Sequence, residues 1–168
     1  MGSIKRGFLI FSIFLSSISV SCWYYSFSGS IPSHIKSVAI PLFEDRTSEY
    51  LVKEKLTNAL MEKFIDENIL KIVDRKNADS IIFGEITGVR DEPYTYDENE
   101  RVQEYKVNIY IEIKWMDVRK NKTIFEDKMV GWGIYSAETG SPQAREEGPD
   151  EAIEKLAADI INRTVSGW

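Results

Sequence analysis

The chain is 168 residues long, with a formal net charge of −6, one cysteine and one histidine. A length of that order holds one ordinary domain, a single thiol has no second to close a disulfide or share a metal, and net negative charge opposes bulk attraction to nucleic acid or an anionic membrane. Any anionic ligand must therefore be met by a local basic cluster.

The first element along the chain is an export signal. Lys5 and Arg6 form a short positive region, residues 7–20 form an apolar stretch dotted with serines, and Ser19 and Ser21 flank Val20 just before Cys22. This is the three-part layout of a secretory signal. A membrane-spanning helix needs about 20 predominantly apolar residues, and this run is shorter. Ser19-Val20-Ser21-Cys22 is similar to the lipobox of bacterial lipoproteins, with Ser19 where most lipoboxes carry a branched aliphatic residue. Lipidation of Cys22 as the first mature residue is the expectation; the alternative is an ordinary signal peptide with an incidental thiol. Each buried methylene adds about 0.8 kcal/mol, so several acyl chains anchor the protein permanently. No aspartate follows Cys22, which by resemblance to Gram-negative lipoproteins directs the chain to the outer membrane, on its periplasmic side. Residues 26–33, SFSGSIPS, read as a flexible lead into the folded body. The expected organisation is a signal peptide at 1–21, a lipidated tether at 22–36 and a single domain at 37–168.

Residues 37–43, SVAIPLF, form a β-prone apolar run closed by EDRT, the pattern of a buried strand and a turn. A first helix follows. Thr47 or Ser48 is placed to cap it, Glu49 to sit in its first turn, and Val52, Leu56, Ala59, Leu60 and Phe64 recur at helical spacing before a stop at Asn68. Residues 70–74 return as a strand and residues 79–89 supply another, in which Gly84 and Gly88 mark a bulge or close packing. Strand, helix and strand in that order predict a right-handed crossover. Tyr105, Val107, Ile109, Ile111, Ile113 and Trp115 then alternate with polar or mixed neighbours, which predicts a long antiparallel strand with one buried face. A turn at 119–122, RKNK, leads into residues 123–133 as the second arm of a hairpin. A bulge is expected near Glu126 and Asp127, where the alternation falters. After a polar loop over 136–148, Pro149 is placed at the first position of a second helix with an apolar stripe of Ile153, Leu156, Ala157, Ile160 and Ile161. The expected fold is α+β, a two-layer sandwich with two helices packed on one face of a four- to five-stranded mixed sheet.

Groups able to do chemistry are scarce. His34 lies beside the tether and reads as structural or solvated rather than as a proton shuttle. No glycine-rich phosphate loop precedes a helix, and no His, Asp and Glu cluster has metal spacing. No catalytic residue, metal site or cofactor is expected, and the protein reads as a non-enzyme. The acidic run at 91–100, DEPYTYDENE, lacks the spaced ligands and glycine of an EF-hand. It reads as a solvated loop, with Tyr94 and Tyr96 making it a candidate recognition loop. Lys114, Arg119, Lys120 and Lys122 gather at one end of the hairpin. Lysines at a turn guard an edge strand; the sharper reading is a phosphate contact, since these side chains grip phosphate strongly. Trp132 and Tyr135, with Trp23, Tyr24, Tyr25 and Phe27 beside the cysteine, are candidates for a partner or membrane surface, core packing being the alternative for Trp132.

Three stretches carry a family resemblance: CWYYSFSGSIPSHIKSVAIPLFEDRTSEY from Cys22, NADSIIFGEITGVRDEPYTYDENERVQEYKVNI from Asn77, and FEDKMVGWGIY from Phe125. Together they make the chain similar to the LPS-assembly lipoprotein family LptE, with Trp23 where glycine is expected after the cysteine. The resemblance implies an outer-membrane lipoprotein that plugs the LptD β-barrel, assists its assembly and helps to deliver lipopolysaccharide to the outer leaflet. It implies no hydrolysis. It makes the basic hairpin end a candidate for lipopolysaccharide phosphates, places much of the sandwich surface against the barrel wall, and leaves Tyr94, Tyr96, Trp132 and Tyr135 as candidates for the partner surface. A second resemblance, of SVAIPLFED and NADSIIFGEI to CsgG-related secretion lipoproteins and the N-terminal domain of TolB, implies a ring or a scaffold contact instead.

Overall fold

A computed structural model of the chain describes residues 31–47, 49, 51–137 and 142–166, with the backbone alone at 142–147. The expected signal peptide at 1–21, Cys22 and the aromatics at 23–27 lie outside the described residues. Six strands form one mixed sheet. β1 (Ser37–Ala39) lies between β3 (Lys71–Ile72) and β4 (Ser80–Tyr96), parallel to both. β4 pairs antiparallel with β5 (Val102–Asp117), and β5 with β6 (Lys122–Ser136). The path is β3-β1-β4-β5-β6, and the two-residue β2 (Glu44–Asp45) joins β4 alongside β1. Among the described residues the remaining elements are two α-helices, α1 (Val52–Asp66) and α2 (Pro142–Ser166), and one turn of 3-10 helix at Arg75–Asn77.

Apolar periodicity drives this assembly. The stripe Val52, Leu56, Ala59, Leu60 and Phe64 on α1 and the stripe Ile153, Leu156, Ala157, Ile160 and Ile161 on α2 are both buried in one core. That core includes Ile109, Ile111, Ile113 and Trp115 on β5. Burying each such side chain contributes about 1.5–3 kcal/mol, which draws both helices onto the same face. The result is the two-layer α+β sandwich that the pattern predicts. Glycine sets the closest approach. A Cβ at Gly131 would run into the Ala152 carbonyl and the Leu156 side chain, and one at Gly133 into the Gly148 carbonyl, so α2 lies directly on β6.

Several local expectations differ from the structure. Thr47 does not cap α1. Its N–H donates to Asp45 Oδ1 and its Oγ1 accepts from Glu49 N–H, so it serves a turn before the helix. α1 instead starts behind Leu51, which has φ of 73° and no side-chain cap, and the acid in its first turn is Glu54 rather than Glu49. Asn68 does end it, at φ of 49° with its N–H on the Ile65 carbonyl. The register of β5 and β6 runs without a break past Glu126 and Asp127 and shifts at Ile124 instead. Pro149 lies inside α2, which begins at Pro142. The first six residues of the acidic run do not form a loop: β4 continues through Tyr96, leaving a turn at 97–101 in which Asp97 Oδ1 accepts from Asn99 and Arg101 N–H.

Candidate functional site

The functional candidates fall on three parts of the sheet. At the end where β5 turns into β6, two buried carboxylates hold the chain that enters β1. Asp79 Oδ2 accepts from Lys36 N–H at 2.9 Å, Ser37 N–H at 3.2 Å and Ser37 Oγ at 3.1 Å, while Asp79 Oδ1 pairs with Arg119 at 2.6 Å. Asp117 Oδ2 accepts from His34 Nε2 at 2.6 Å, and Asp117 Oδ1 from Lys120 N–H at 3.0 Å. These are first-rank interactions because the acceptors are charged and buried, Asp79 being 8% and Asp117 3% exposed. The Lys36 N–H, followed by Ser37 and Arg119, holds the Asp79 carboxyl below the usual carboxylate range against the opposing effect of burial. Burial pushes the Asp117 carboxyl up, and Lys120 N–H, His34 and the Lys120 charge together more than reverse it. Only Arg119, Lys120 and Lys122 of the predicted cations belong to this end, all exposed on the turn.

The second part is the sheet face opposite α1 and α2. Here Lys114 pairs with Glu126 at 2.9 Å, Lys128 with Glu112 at 2.7 Å, and Arg46 with Glu85. Lys128 lowers the Glu112 carboxyl and is itself raised by it. The ladder borders a groove of about 400 Å³ between Leu42 and Phe83, with Arg75 5.5 Å over the Phe83 ring. Lys114 therefore stands apart from the other three predicted cations, on the open face.

The third part is the opposite end of the sheet, an arm in which β4 pairs with β5 up to the turn at 97–101 and β6 accompanies β5 as far as Glu104. Tyr94 and Tyr96 are 49% and 58% exposed there. Tyr135 stacks on Tyr105 at 5.5 Å and is only partly exposed. Trp132 is 38% exposed, between Lys106 at 5.4 Å and Lys155 at 3.2 Å from its ring. Lys155 in turn pairs with Glu151, which also accepts from the Ile134 N–H; both interactions lower the Glu151 carboxyl. The predicted cations and the predicted aromatics thus occupy mainly opposite ends of the molecule. The carboxylates Asp79 and Asp117 carry no sequence signal, because, apart from the Lys120 N–H on Asp117, their partners lie about 40 to 80 residues away along the chain.

Among the described residues, no group of His, Cys, Asp and Glu is placed to hold a metal ion, and no helix is long and apolar enough to cross a membrane. The arrangement is one of ion pairs and exposed aromatics suited to binding.

Comparison with known proteins gives a family match. The family model described as LptE, lipopolysaccharide-assembly, matches residues 35–164. No curated protein matches the sequence significantly. Among solved structures, the chain is similar to the hypothetical protein CT253 from Chlamydia trachomatis, at 13% identity and TM-score 0.55, covering 77% of this chain and 95% of that one. Protein XCC0632 from Xanthomonas campestris is 8% identical at TM-score 0.56, with 80% and 88% covered. The PelC dodecamer from Paraburkholderia phytofirmans is 15% identical at TM-score 0.50, with 83% and 94% covered. At these identities the likeness is one of fold.

Proposed function

The chain belongs to the LptE family of lipopolysaccharide-assembly proteins, and on that premise we propose that it is an outer-membrane lipoprotein that plugs an LptD-like β-barrel, assists its assembly and helps deliver lipopolysaccharide to the cell surface. The observation that carries this reading is the extent of the match, from residue 35 to residue 164, which takes in all six strands and nearly all of both helices. The protein acts by binding, not by catalysis. Cys22 carries the lipid once residues 1–21 are removed, residues 22–36 form the tether, and residues 37–168 form one domain. Lys120 and Lys122 are the open contacts for lipopolysaccharide phosphates. Lys114 and Arg119 join them only by releasing Glu126 and Asp79. Tyr94, Tyr96, Trp132 and Tyr135 face the barrel wall.

Affinity-tagged, lipidated protein extracted from outer membranes in mild detergent tests this directly. A large β-barrel recovered with it in one-to-one ratio is expected; recovery as a homo-oligomeric ring would overturn the plug reading. Intact mass of the same sample reports the acyl groups on Cys22. The fold shared with the PelC dodecamer is what favours the ring as second reading. The arms of the β5–β6 hairpin exceed the 9–11 residues or so of a membrane strand. Their open face, however, bears the Lys114–Glu126 and Lys128–Glu112 pairs, which suit water or a partner better than lipid.

A further inference from the structure

β6 is the last strand of the sheet path, so one of its edges has no neighbouring strand. Two hydrogen bonds show which backbone groups point out of that edge. The Lys128 N–H donates to Asp127 Oδ1 at 2.9 Å, and the Ile134 N–H to Glu151 Oε2 at 3.0 Å. Backbone groups along an antiparallel strand alternate in direction, and the register with β5 is unbroken from Phe125 to Ser136. The outward groups are therefore those of the even-numbered residues. Between the two side-chain caps lie Val130 and Trp132, whose outward N–H and carbonyl groups have no hydrogen-bond partner among the described residues. Their side chains are also exposed, at 43% and 38%. The charges beside them are engaged inward, Lys128 by Glu112 and Glu126 by Lys114 of β5. An unpaired edge with apolar side chains is a template for one more strand.

The helix above decides which strand fits. A Cβ at Gly131 would meet the Ala152 carbonyl and Leu156, and one at Gly133 the Gly148 carbonyl, so α2 stands directly over β6. A second copy paired through the same edge would bring its own α2 to about 5 Å from this one, the spacing of neighbouring strands. Packed helices stand about 8–10 Å apart. The added strand must therefore come without a helix over it. Asp159 marks the space it would enter. Asp150 pairs with Lys55 of α1, and Asp159, nine residues on, lies half a turn round α2 from it. It faces away from α1, over the free edge, exposed and without an ion pair among the described residues. Lys155 lies across the edge, 3.2 Å from the Trp132 ring, and has to swing aside for a strand to enter.

We propose that the β6 edge at Val130 and Trp132 takes up, as an added strand, an extended segment from a loop or terminal extension of the barrel partner. The proposal rests on the reading of the chain as a plug. The wall of a closed barrel has no unpaired edge to offer, whereas loops and terminal extensions do have free backbone. The segment pairs with the outward groups of Val130 and Trp132. It sets two apolar side chains beside theirs on the face opposite the helices, and between these it turns a basic side chain up to Asp159. Because it uses the edge of the sheet and not its faces, Tyr94, Tyr96, Tyr135 and the Trp132 ring keep their place against the wall.

Hydrogen exchange at single-residue resolution tests this on the lipidated protein, free and in the complex extracted from outer membranes in mild detergent. In the free protein the amides of Met129, Gly131 and Gly133, which point at β5, should exchange slowly and those of Val130 and Trp132 fast. In the complex the Val130 and Trp132 amides should slow by about tenfold or more. A photoreactive phenylalanine analogue in place of Lys128 should give adducts on a loop or terminal extension of the barrel. Unchanged exchange at Val130 and Trp132 with the barrel bound overturns the added strand and leaves the plug reading standing. So do adducts confined to wall strands. Adducts on a second copy of the chain overturn the choice of occupant. Absence of any barrel from the extract overturns the plug reading and the proposal with it.

Discussion

Asp79 is the residue on which the entrance to the sheet depends. One carboxylate satisfies two backbone N–H groups and the Ser37 hydroxyl and pairs with Arg119, tying β1, β4 and the β5–β6 turn together. Its carboxyl ionises below the ordinary range, first because of the Lys36 N–H. A folded-state value below the unfolded one adds stability that is present above about pH 4 and is lost as pH falls through the lower folded value. Asp79→Asn should therefore melt lower than the parent at pH 7, and its melting temperature should fall less between pH 5 and pH 2. Scanning calorimetry across that range checks both; parallel curves would remove Asp79 from this role. Gly84 is a second informative residue, since a Cβ there would lie 2.7 Å from the ring of buried Phe43. The glycine was visible in the sequence as close packing or a bulge. Phe43 as its neighbour was not, because the contact spans 41 residues of chain.

At the level of elements, the decisive contact is α2 on β6. Gly131 and Gly133 let the helix backbone approach the strand so closely that no side chain fits between Gly133 and the Gly148 carbonyl. Gly133→Ala should cost about 1–3 kcal/mol, the usual effect of overfilling a packed contact. The measurement is a urea midpoint, with unchanged slope showing that the fold survives. A loss below about 0.5 kcal/mol would place the variant among ordinary surface changes and show that the helix shifts freely. Helical and strand periodicity revealed the long elements because each buries one face, as in the alternation of Val107 to Trp115. The β4 arm was read as a loop for the complementary reason. Residues 91–96 are largely exposed on both faces, so no apolar alternation marks them, and β4 is held there by backbone pairing with β5. The cap of α1 was misplaced because Asp45, Thr47 and Glu49 satisfy one another in a turn that looks like a cap in sequence.

The whole molecule is an elongated sheet with its core under two helices, cations at one end and an acidic, tyrosine-bearing arm at the other. Because the arm lies outside the core cluster, it should be separable from stability. Replacing residues 95–103 with Asn-Gly, a turn suited to a two-residue hairpin, should leave the melting temperature within a few degrees of the parent, since surface changes outside packed contacts rarely exceed about 0.5 kcal/mol. In the pull-down the same variant should recover less of the barrel. Full recovery would remove Tyr96 and the arm's turn from the partner surface.

Sequence alone determined the class of the protein: an α+β fold, two amphipathic helices, a long alternating strand and a family resemblance that the match over residues 35–164 bears out. These are properties of local period and of residue order, which a linear chain displays directly. Tertiary structure decided what lies beside what. Lys114, close in sequence to Arg119, Lys120 and Lys122, is held on the open face by Glu126, and Arg119 is engaged by Asp79. His34 finds Asp117 across 83 residues. Charged groups are distinguished by burial and by partners far along the chain, and those exist only once the strands have paired.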